Sequence, residues 1–167
     1  MKKLSRSWSG LVFLAIAAAC LPLLFVTLIP TKVPRMLGGL PCVRLVTGVE
    51  AEEMVNRLHG RSVAAGENAI GIYAGPKGSA TVYLTVYTSG TAARSAELRM
   101  EERISSGDFG FSHPNRMAFE GKTVASCIGV GQVHFFYSQG SCLYWLACDY
   151  AVAREALKDL LAQTTDR

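Results

Sequence analysis

The sequence predicts an α+β fold in which an N-terminal transmembrane helix precedes one small domain, an antiparallel sheet with helices on one face. Three observations support this class. Residues 10–29 carry no charge, three segments repeat apolar residues at helical spacing, and several short β-branched and aromatic runs are separated by glycine-containing turns. The predicted order of elements in the domain is α-ββ-α-βββ-α.

The first predicted element is a membrane anchor. As a helix, the twenty residues Gly10–Ile29 would be about 30 Å long, which matches the hydrocarbon thickness of a bilayer. The residues that follow, Pro30-Thr31-Lys32, do not form a small-x-small cleavage site. Two alternatives stay open. Ala17 to Ala19 precede Cys20 as in a lipoprotein attachment site, which would place a lipid on Cys20, or the segment is a cleaved secretory signal.

The charges around this segment indicate its orientation. Three cations precede it, Lys2, Lys3 and Arg6, and two follow it, Lys32 and Arg35. This bias favours a short cytoplasmic N-terminus, residues 1–9, followed by the spanning helix. We therefore expect a single-pass protein of a bacterial-type inner (cytoplasmic) membrane, with its C-terminal domain on the periplasmic side.

Residues 30–46 have the composition of a linker. Residues 31–41 within them contain four helix- and strand-breaking residues, Pro34, Gly38, Gly39 and Pro41, and show no hydrophobic period. Fully extended, the segment would reach at most about 55 Å. The sequence thus predicts a linker followed by an extracytoplasmic domain over residues 47–167.

Three helices are predicted in the domain. In the first, Thr47 and Glu50 form a capping box and Gly60 provides the end. The second covers residues 91–104, with alanines and long apolar side chains on one side. The third follows Asp149, which we expect to be its N-cap, and repeats alanine and leucine at helical spacing.

Five strands are predicted, in two groups. The first group is a hairpin and the second a three-stranded meander; their ranges are 69–75 and 80–88, and then 122–130, 132–138 and 141–148. Residues 108–117 are predicted to be an irregular connection. The segments 82–98 and 142–157 resemble each other, which indicates an internal ββα repeat.

The composition argues against nucleic acid as a partner. The net charge of the chain is +4, but five cations flank the apolar segment. These five account for more than the whole net positive charge. The remaining domain is close to neutral and lacks the basic surface that phosphate binding needs.

Four cysteines lie outside the apolar segment. Cys142 and Cys148 are too far apart along one strand, about 20 Å, for a disulfide. A bridge between Cys42 and Cys148 remains as a candidate, and Cys127 would have to cross a strand to reach Cys142. The alternative that all four are buried free thiols stays open.

The sequence contains no metal, cofactor or catalytic motif that is specific enough to assign. The three histidines are scattered, and no Cys-x-x-Cys occurs. Ser126, His134 and Asp149 could be combined into a triad, but no nucleophile motif surrounds Ser126. We therefore expect a protein that is not an enzyme and that has no cofactor or metal.

Aromatic residues concentrate in the last two predicted strands. If their turn centres on Gln139 and Gly140, His134 lies opposite Trp145. With helices on one face only, the other face would expose a candidate partner-binding set: His134, Phe136, Leu143 and Trp145.

This exposed set indicates a function for the tethered domain. Aromatic side chains commonly anchor protein interfaces, and a domain held beside a bilayer meets other membrane proteins at high effective concentration. We expect an accessory, assembly or scaffolding subunit that binds proteins of a membrane complex. The alternative is a membrane-anchored or lipoprotein domain that binds a ligand or cofactor with the aromatic face and His134.

Overall fold

The computed structural model describes residues 32–59, 65–107 and 110–165, which form eight strands and three helices. In chain order they are β1 (Met36–Leu37), β2 (Leu40–Thr47), α1 (Gly48–His59), β3 (Glu67–Gly75), β4 (Gly78–Val86), α2 (Gly90–Ser105), β5 (Ser112–Phe119), β6 (Lys122–Gly129), β7 (Gln132–Gln139), β8 (Cys142–Cys148) and α3 (Ala153–Thr165). The predicted α+β class with an antiparallel sheet is confirmed.

The predicted membrane anchor, residues 1–9 and Cys20 lie outside the described residues. None of the three helices in the described part of the chain combines the length and the apolar character that crossing a bilayer requires.

All eight strands belong to one sheet, in the order β1-β2-β3-β4-β8-β7-β6-β5. Each half of the chain forms a four-stranded antiparallel meander. The halves join because β4 pairs antiparallel with β8, with Tyr83 opposite Trp145. The two outermost strands are therefore β1 and β5.

Helices cover both faces of the sheet, so the predicted single helical face is wrong. On one face, Tyr144 and Leu146 of β8 pack with Leu157 and its neighbours on α3. On the other, Trp145 packs in the cluster that contains Ile104 of α2. Successive residues of β8 point to opposite faces and nearly all are apolar, which is the pattern of a central strand buried on both sides. We call these the α3 face and the α1–α2 face, since α1 packs over β2 and β3 in a cluster with Tyr83, which lies opposite Trp145 on the same face.

The predicted linker is mostly part of the fold. Residues 36–46 form β1 and most of β2, joined at Gly38 and Gly39, which both have a positive φ. We call residues 32–38 the lead-in segment. It lies on the α3 face, where Val33 and Leu37 are buried. Local composition predicted a linker here because turn-forming residues punctuate a strand whose partner, β3, comes later in the chain.

The predicted irregular connection over residues 108–117 is also wrong in part, because β5 begins at Ser112. Pro114 and a register shift between Ser112 and Asn115 hide its strand pattern, and both are tolerated at a sheet edge.

The predicted ββα repeat is not a symmetric one. A two-fold axis between the antiparallel strands β4 and β8 would place α2 and α3 on the same face. They lie on opposite faces.

The turn between β7 and β8 is centred on Gly140 and Ser141, one residue later than predicted. Phe136 therefore lies opposite Trp145, and His134 opposite Ala147. Because this change shifts the pairing by two residues, the side chains assigned to each face are still correct.

Asp149 is not the N-cap of α3, which begins at Ala153. Its carboxylate instead accepts hydrogen bonds from the Ser79 backbone N–H (2.7 Å) and from Gln132 Nε2 (3.0 Å). The Gln132 and Ser79 hydrogen bonds lower the pKa of Asp149. Asp149, which directly follows β8, thereby connects the end of β8 to the starts of β4 and β7.

Candidate protein-binding edge of the sheet

The aromatic set predicted to bind a partner is inside the protein. His134, Phe136 and Leu143 are buried and Trp145 is half-buried. Phe136 stacks on Trp145 with ring centroids 5.0 Å apart, beneath α2. The sequence analysis assigned these four side chains to one face correctly. Because α2 covers that face, the four side chains do not form an exposed binding surface.

His134 is fully engaged as a neutral ring. Its Nε2 lies 2.9 Å from Gly129 O, and Trp145 Nε1 donates to its Nδ1 at 3.1 Å. The first contact requires a proton on Nε2 and the second requires a bare Nδ1, which defines the tautomer. Burial lowers the pKa of His134 despite the Gly129 contact. In this arrangement neither ring nitrogen is free to ligate a metal or haem, and neither contacts Ser126 or Asp149.

The four described cysteines are free thiols, so the predicted bridge between Cys42 and Cys148 is not formed. Tyr73 and Ala80 lie between these two cysteines in one row across the sheet. Three strand spacings separate the two residues by about 14 Å, twice the Cα distance that a disulfide permits.

Glu97 is a charged side chain that the sequence analysis did not single out. Only 1% of it is exposed, and it connects α2 to β7. Ser138 donates to its Oε2 through both Oγ (2.6 Å) and the backbone N–H (2.9 Å), while Arg94 donates to its Oε1 (2.6 Å). Burial would raise the pKa of Glu97, but these hydrogen bonds outweigh it and hold the pKa below its ordinary value. The sequence around Glu97 does not indicate that it is buried, because its partner Ser138 is distant in sequence.

A cleft of about 290 Å³ opens beside this network, between α2 and strands β5 and β6. Its two charged lining residues, Glu101 and Arg116, bind each other, with Arg116 Nε donating to Glu101 Oε1 at 2.6 Å. Arg116 also reaches Glu97. The charges that line the cleft are therefore already neutralised by ion pairs. The arrangement serves packing of α2 better than it serves recognition of a charged ligand.

The outer side of β2 is an open sheet edge. Within the described ranges, β1 pairs only with Leu40 and Pro41, and no strand pairs with the outer side of residues 43–47. We call these five residues the open edge. Val43 is 59% exposed and Leu45 43%, and Val49 at the start of α1 is 71% exposed. The open edge thus exposes backbone N–H and C=O groups that no described strand pairs with, next to apolar side chains.

The opposite edge of the sheet is protected. β5 carries Pro114, which has no backbone N–H, and His113 with a positive φ of 55°. Proline and irregular backbone are the usual devices that prevent pairing with another strand. β2 also has a register shift, but it lies at the start of the open edge, between Cys42 and Arg44, and residues 44–47 pair regularly with β3. The two edges therefore differ, and in the described structure the β2 edge has more of the features that strand addition needs.

The open edge had a signal in the sequence that composition concealed. Residues 42–47 read Cys-Val-Arg-Leu-Val-Thr, a run rich in β-branched residues. Its position after Pro41 and two glycines favoured a linker, and no local pattern shows that a strand will lie at an edge.

Comparison of the sequence with models of known protein families finds no match, and comparisons with curated proteins and with solved structures likewise find none.

Proposed function

We propose that this protein is a non-catalytic, single-pass membrane protein whose extracytoplasmic α+β domain binds other proteins of a membrane complex, as an accessory, assembly or scaffolding subunit. Its binding surface is the open edge of β2, and the partner contributes an extended apolar segment that adds to the sheet as a further strand.

The observation that carries this proposal is the open edge itself. Exposed strand edges template pairing with another chain, and soluble domains usually blunt them with proline, charge or a covering loop. Here β5 carries a proline and a residue with positive φ along its length, whereas the register shift of β2 is confined to its start and residues 44–47 are regular. Arg44 is the one charged side chain of the open edge, and its guanidinium lies 2.5 Å from Glu50, which neutralises it. An apolar, neutral edge favours an apolar strand as its partner.

The predicted membrane anchor supports the same function. The charge-free segment Gly10–Ile29 is long enough to span a bilayer, and we place the domain on the periplasmic side of a bacterial-type inner membrane. Tethering two proteins in one membrane raises their effective concentration, so a short strand contact is sufficient for association.

The test compares the two edges of the sheet. Full-length protein carrying a photo-crosslinking residue at position 45, or at the exposed position 118 of β5, is irradiated in its native membrane. We expect crosslinks to a defined partner from position 45 only. The double variant Val43→Lys/Leu45→Lys should reduce co-purification of that partner in mild detergent at least tenfold.

Ala118→Lys is the control for the single variant Leu45→Lys, because each adds one positive charge at an exposed position, on opposite edges of the sheet. Leu45→Lys should reduce co-purification, although less than the double variant does, whereas Ala118→Lys should have no effect. A wild-type protein that is isolated as a solitary monomer, or a partner retained in full by the β2 double variant, would contradict the proposal.

A further inference from the structure

We infer that the lead-in segment holds the domain in one orientation, with the end of the sheet that carries the 120–121 turn seated against the lipid headgroups. This inference rests on the membrane anchor of the proposed function and names a second partner for the domain, the phospholipid surface. We call this end the Glu120 end and the opposite end, with the 130–131 turn, the Val130 end.

The lead-in segment is bound to the sheet at several points. Tyr73 Oη donates to Pro34 O at 2.7 Å, and the Cys42 N–H donates to Arg35 O at 2.9 Å. At its far end the Gly38 N–H donates to Asp159 Oδ2 of α3 at 2.8 Å. With Val33 and Leu37 buried in the core, the segment moves with the domain as one unit.

The segment begins on the Glu120 side of the middle of the sheet, because Val33 lies over Gly71 at the centre of β3 and the Lys32 side chain extends from there to the Glu120 end. Lys32 Nζ lies 3.2 Å from Cys142 Sγ, at the first residue of β8. The 120–121 and 140–141 turns lie at the same end, where Lys122 Nζ donates to Gln139 Oε1 at 2.5 Å. From Lys32 the chain runs along the α3 face toward the Val130 end, where β1 and β2 meet.

The short distance to the anchor determines the orientation. Only Pro30 and Thr31 separate Ile29 from Lys32, so the Cα atoms of Ile29 and Lys32 are at most about 11 Å apart. The strands of the sheet are about 25 Å long at 3.3 Å per residue. A chain this short keeps the Glu120 end at the bilayer and the Val130 end away from it.

The chemistry of the Glu120 end suits the headgroup layer. Glu120, Lys122, Gln139 and Ser141 lie there, with Lys32 at the start of the lead-in segment. Polar and charged groups of both signs are solvated by zwitterionic phospholipid headgroups, whereas the hydrocarbon core would exclude them. The surface is therefore a contact for headgroups and not for acyl chains.

Two turn positions provide a matched test. Glu120 and Val130 each begin a two-residue turn, with φ values of 47° and 52°, and each precedes a glycine with positive φ. Full-length protein in phosphatidylcholine vesicles, with Cys20→Ala and Cys42→Ser in the background, is labelled with a fluorophore at Glu120→Cys or at Val130→Cys. A nitroxide on the lipid headgroup should quench the label at position 120 several-fold more than the label at position 130.

A further variant tests the role of the lead-in segment. A Cβ at Gly71 would lie 2.6 Å from Val33 Cγ1 and 2.9 Å from Tyr73 Oη, so Gly71→Ala displaces the segment. The quenching difference between the two labels should then fall. Tyr73→Phe, which removes only the hydrogen bond to Pro34, should reduce the difference less, and it serves if Gly71→Ala does not fold.

The outcomes separate this inference from the proposed function. Equal quenching at both positions in protein that sediments with the vesicles overturns the orientation and leaves the anchor intact. Protein that stays in the supernatant overturns the anchor and the orientation together. Strong quenching at position 130 alone would show the reverse orientation and would also refute the inference.

Discussion

His134 and Glu97 show how a buried polar side chain is satisfied in this protein. Each side chain connects different elements of the fold through hydrogen bonds. His134 of β7 binds Gly129 of β6 and Trp145 of β8, and Glu97 of α2 binds Ser138 of β7. Buried polar groups with complete hydrogen bonding rigidify a core, and the removal of one partner leaves the others unsatisfied. We interpret both residues as structural.

The His134 network makes stability depend on pH. The pKa of folded His134 lies below its ordinary value of about 6.5. As the pH falls, His134 therefore becomes protonated in the unfolded chain before it does so in the folded protein. The free energy of unfolding decreases as the pH falls from about 6.5 toward the pKa of folded His134. Chemical denaturation of the full-length protein in detergent between pH 5 and pH 8 should show this decline.

The substitution His134→Phe should remove that component and cost about 2 kcal/mol at pH 7, because Trp145 Nε1 and Gly129 O both lose their partner. His113→Asn, at an exposed position, is the control and should retain the wild-type pH profile. An unchanged profile in His134→Phe would assign the pH dependence to another group.

At the scale of elements, two hairpin turns of the sheet contain a non-glycine residue with a positive φ, Glu120 and Val130. The 130–131 turn places a β-branched residue, Val130, at a φ of 52° with 88% of its surface exposed. A residue with a side chain is conformationally disfavoured at this φ, least so for asparagine and aspartate and most so for a β-branched side chain. This turn gains little from burial that would offset the strain.

Val130→Asn should therefore stabilise the protein by about 1 kcal/mol, because Asn-Gly is the preferred pair for this type of hairpin turn. Thermal unfolding followed by circular dichroism measures the gain as a higher melting temperature. The matched change at the other turn, Glu120→Asn, should give less, since glutamate is not β-branched. A lower melting temperature for Val130→Asn would mean that Val130 makes a stabilising contact.

At the scale of the whole molecule, the sheet keeps its thiols apart. Cys42 and Cys148 share a row but are separated by β3 and β4, while Cys127 and Cys142 lie on opposite faces. Burial raises the pKa of Cys127 to about 11 and that of Cys148 to about 12. Both remain protonated at neutral pH and react slowly.

Alkylation followed by intact-mass measurement tests this arrangement. In the folded protein we expect iodoacetamide to modify Cys42 first among the four described thiols, because it is the one that is half-buried and not fully buried. After unfolding without reductant, all four should react. Cys42→Ser should remove the fast phase, and two thiols that stay unmodified in the unfolded chain would reveal a disulfide.

Local sequence was sufficient for much of the secondary structure. Helical periodicity and turn signals, such as the one at Pro76, act within a few residues, so α1, the β3–β4 hairpin, the β6–β7–β8 meander and the antiparallel α+β class could be predicted. The predicted capping box of α1 is not what Glu50 forms, since its carboxylate binds Arg44. The face assignment of His134 and Trp145 followed from strand periodicity, and it survived an error in register.

What local sequence determined about this protein is therefore its elements and the two faces of each strand. Only the tertiary structure decided that α3 crosses to the opposite face, that α2 buries the aromatic set, and that β2 leaves an open edge. The physical reason is that burial and edge position depend on contacts such as β4 with β8, which form between residues some sixty positions apart. No pattern within a strand specifies such a partner.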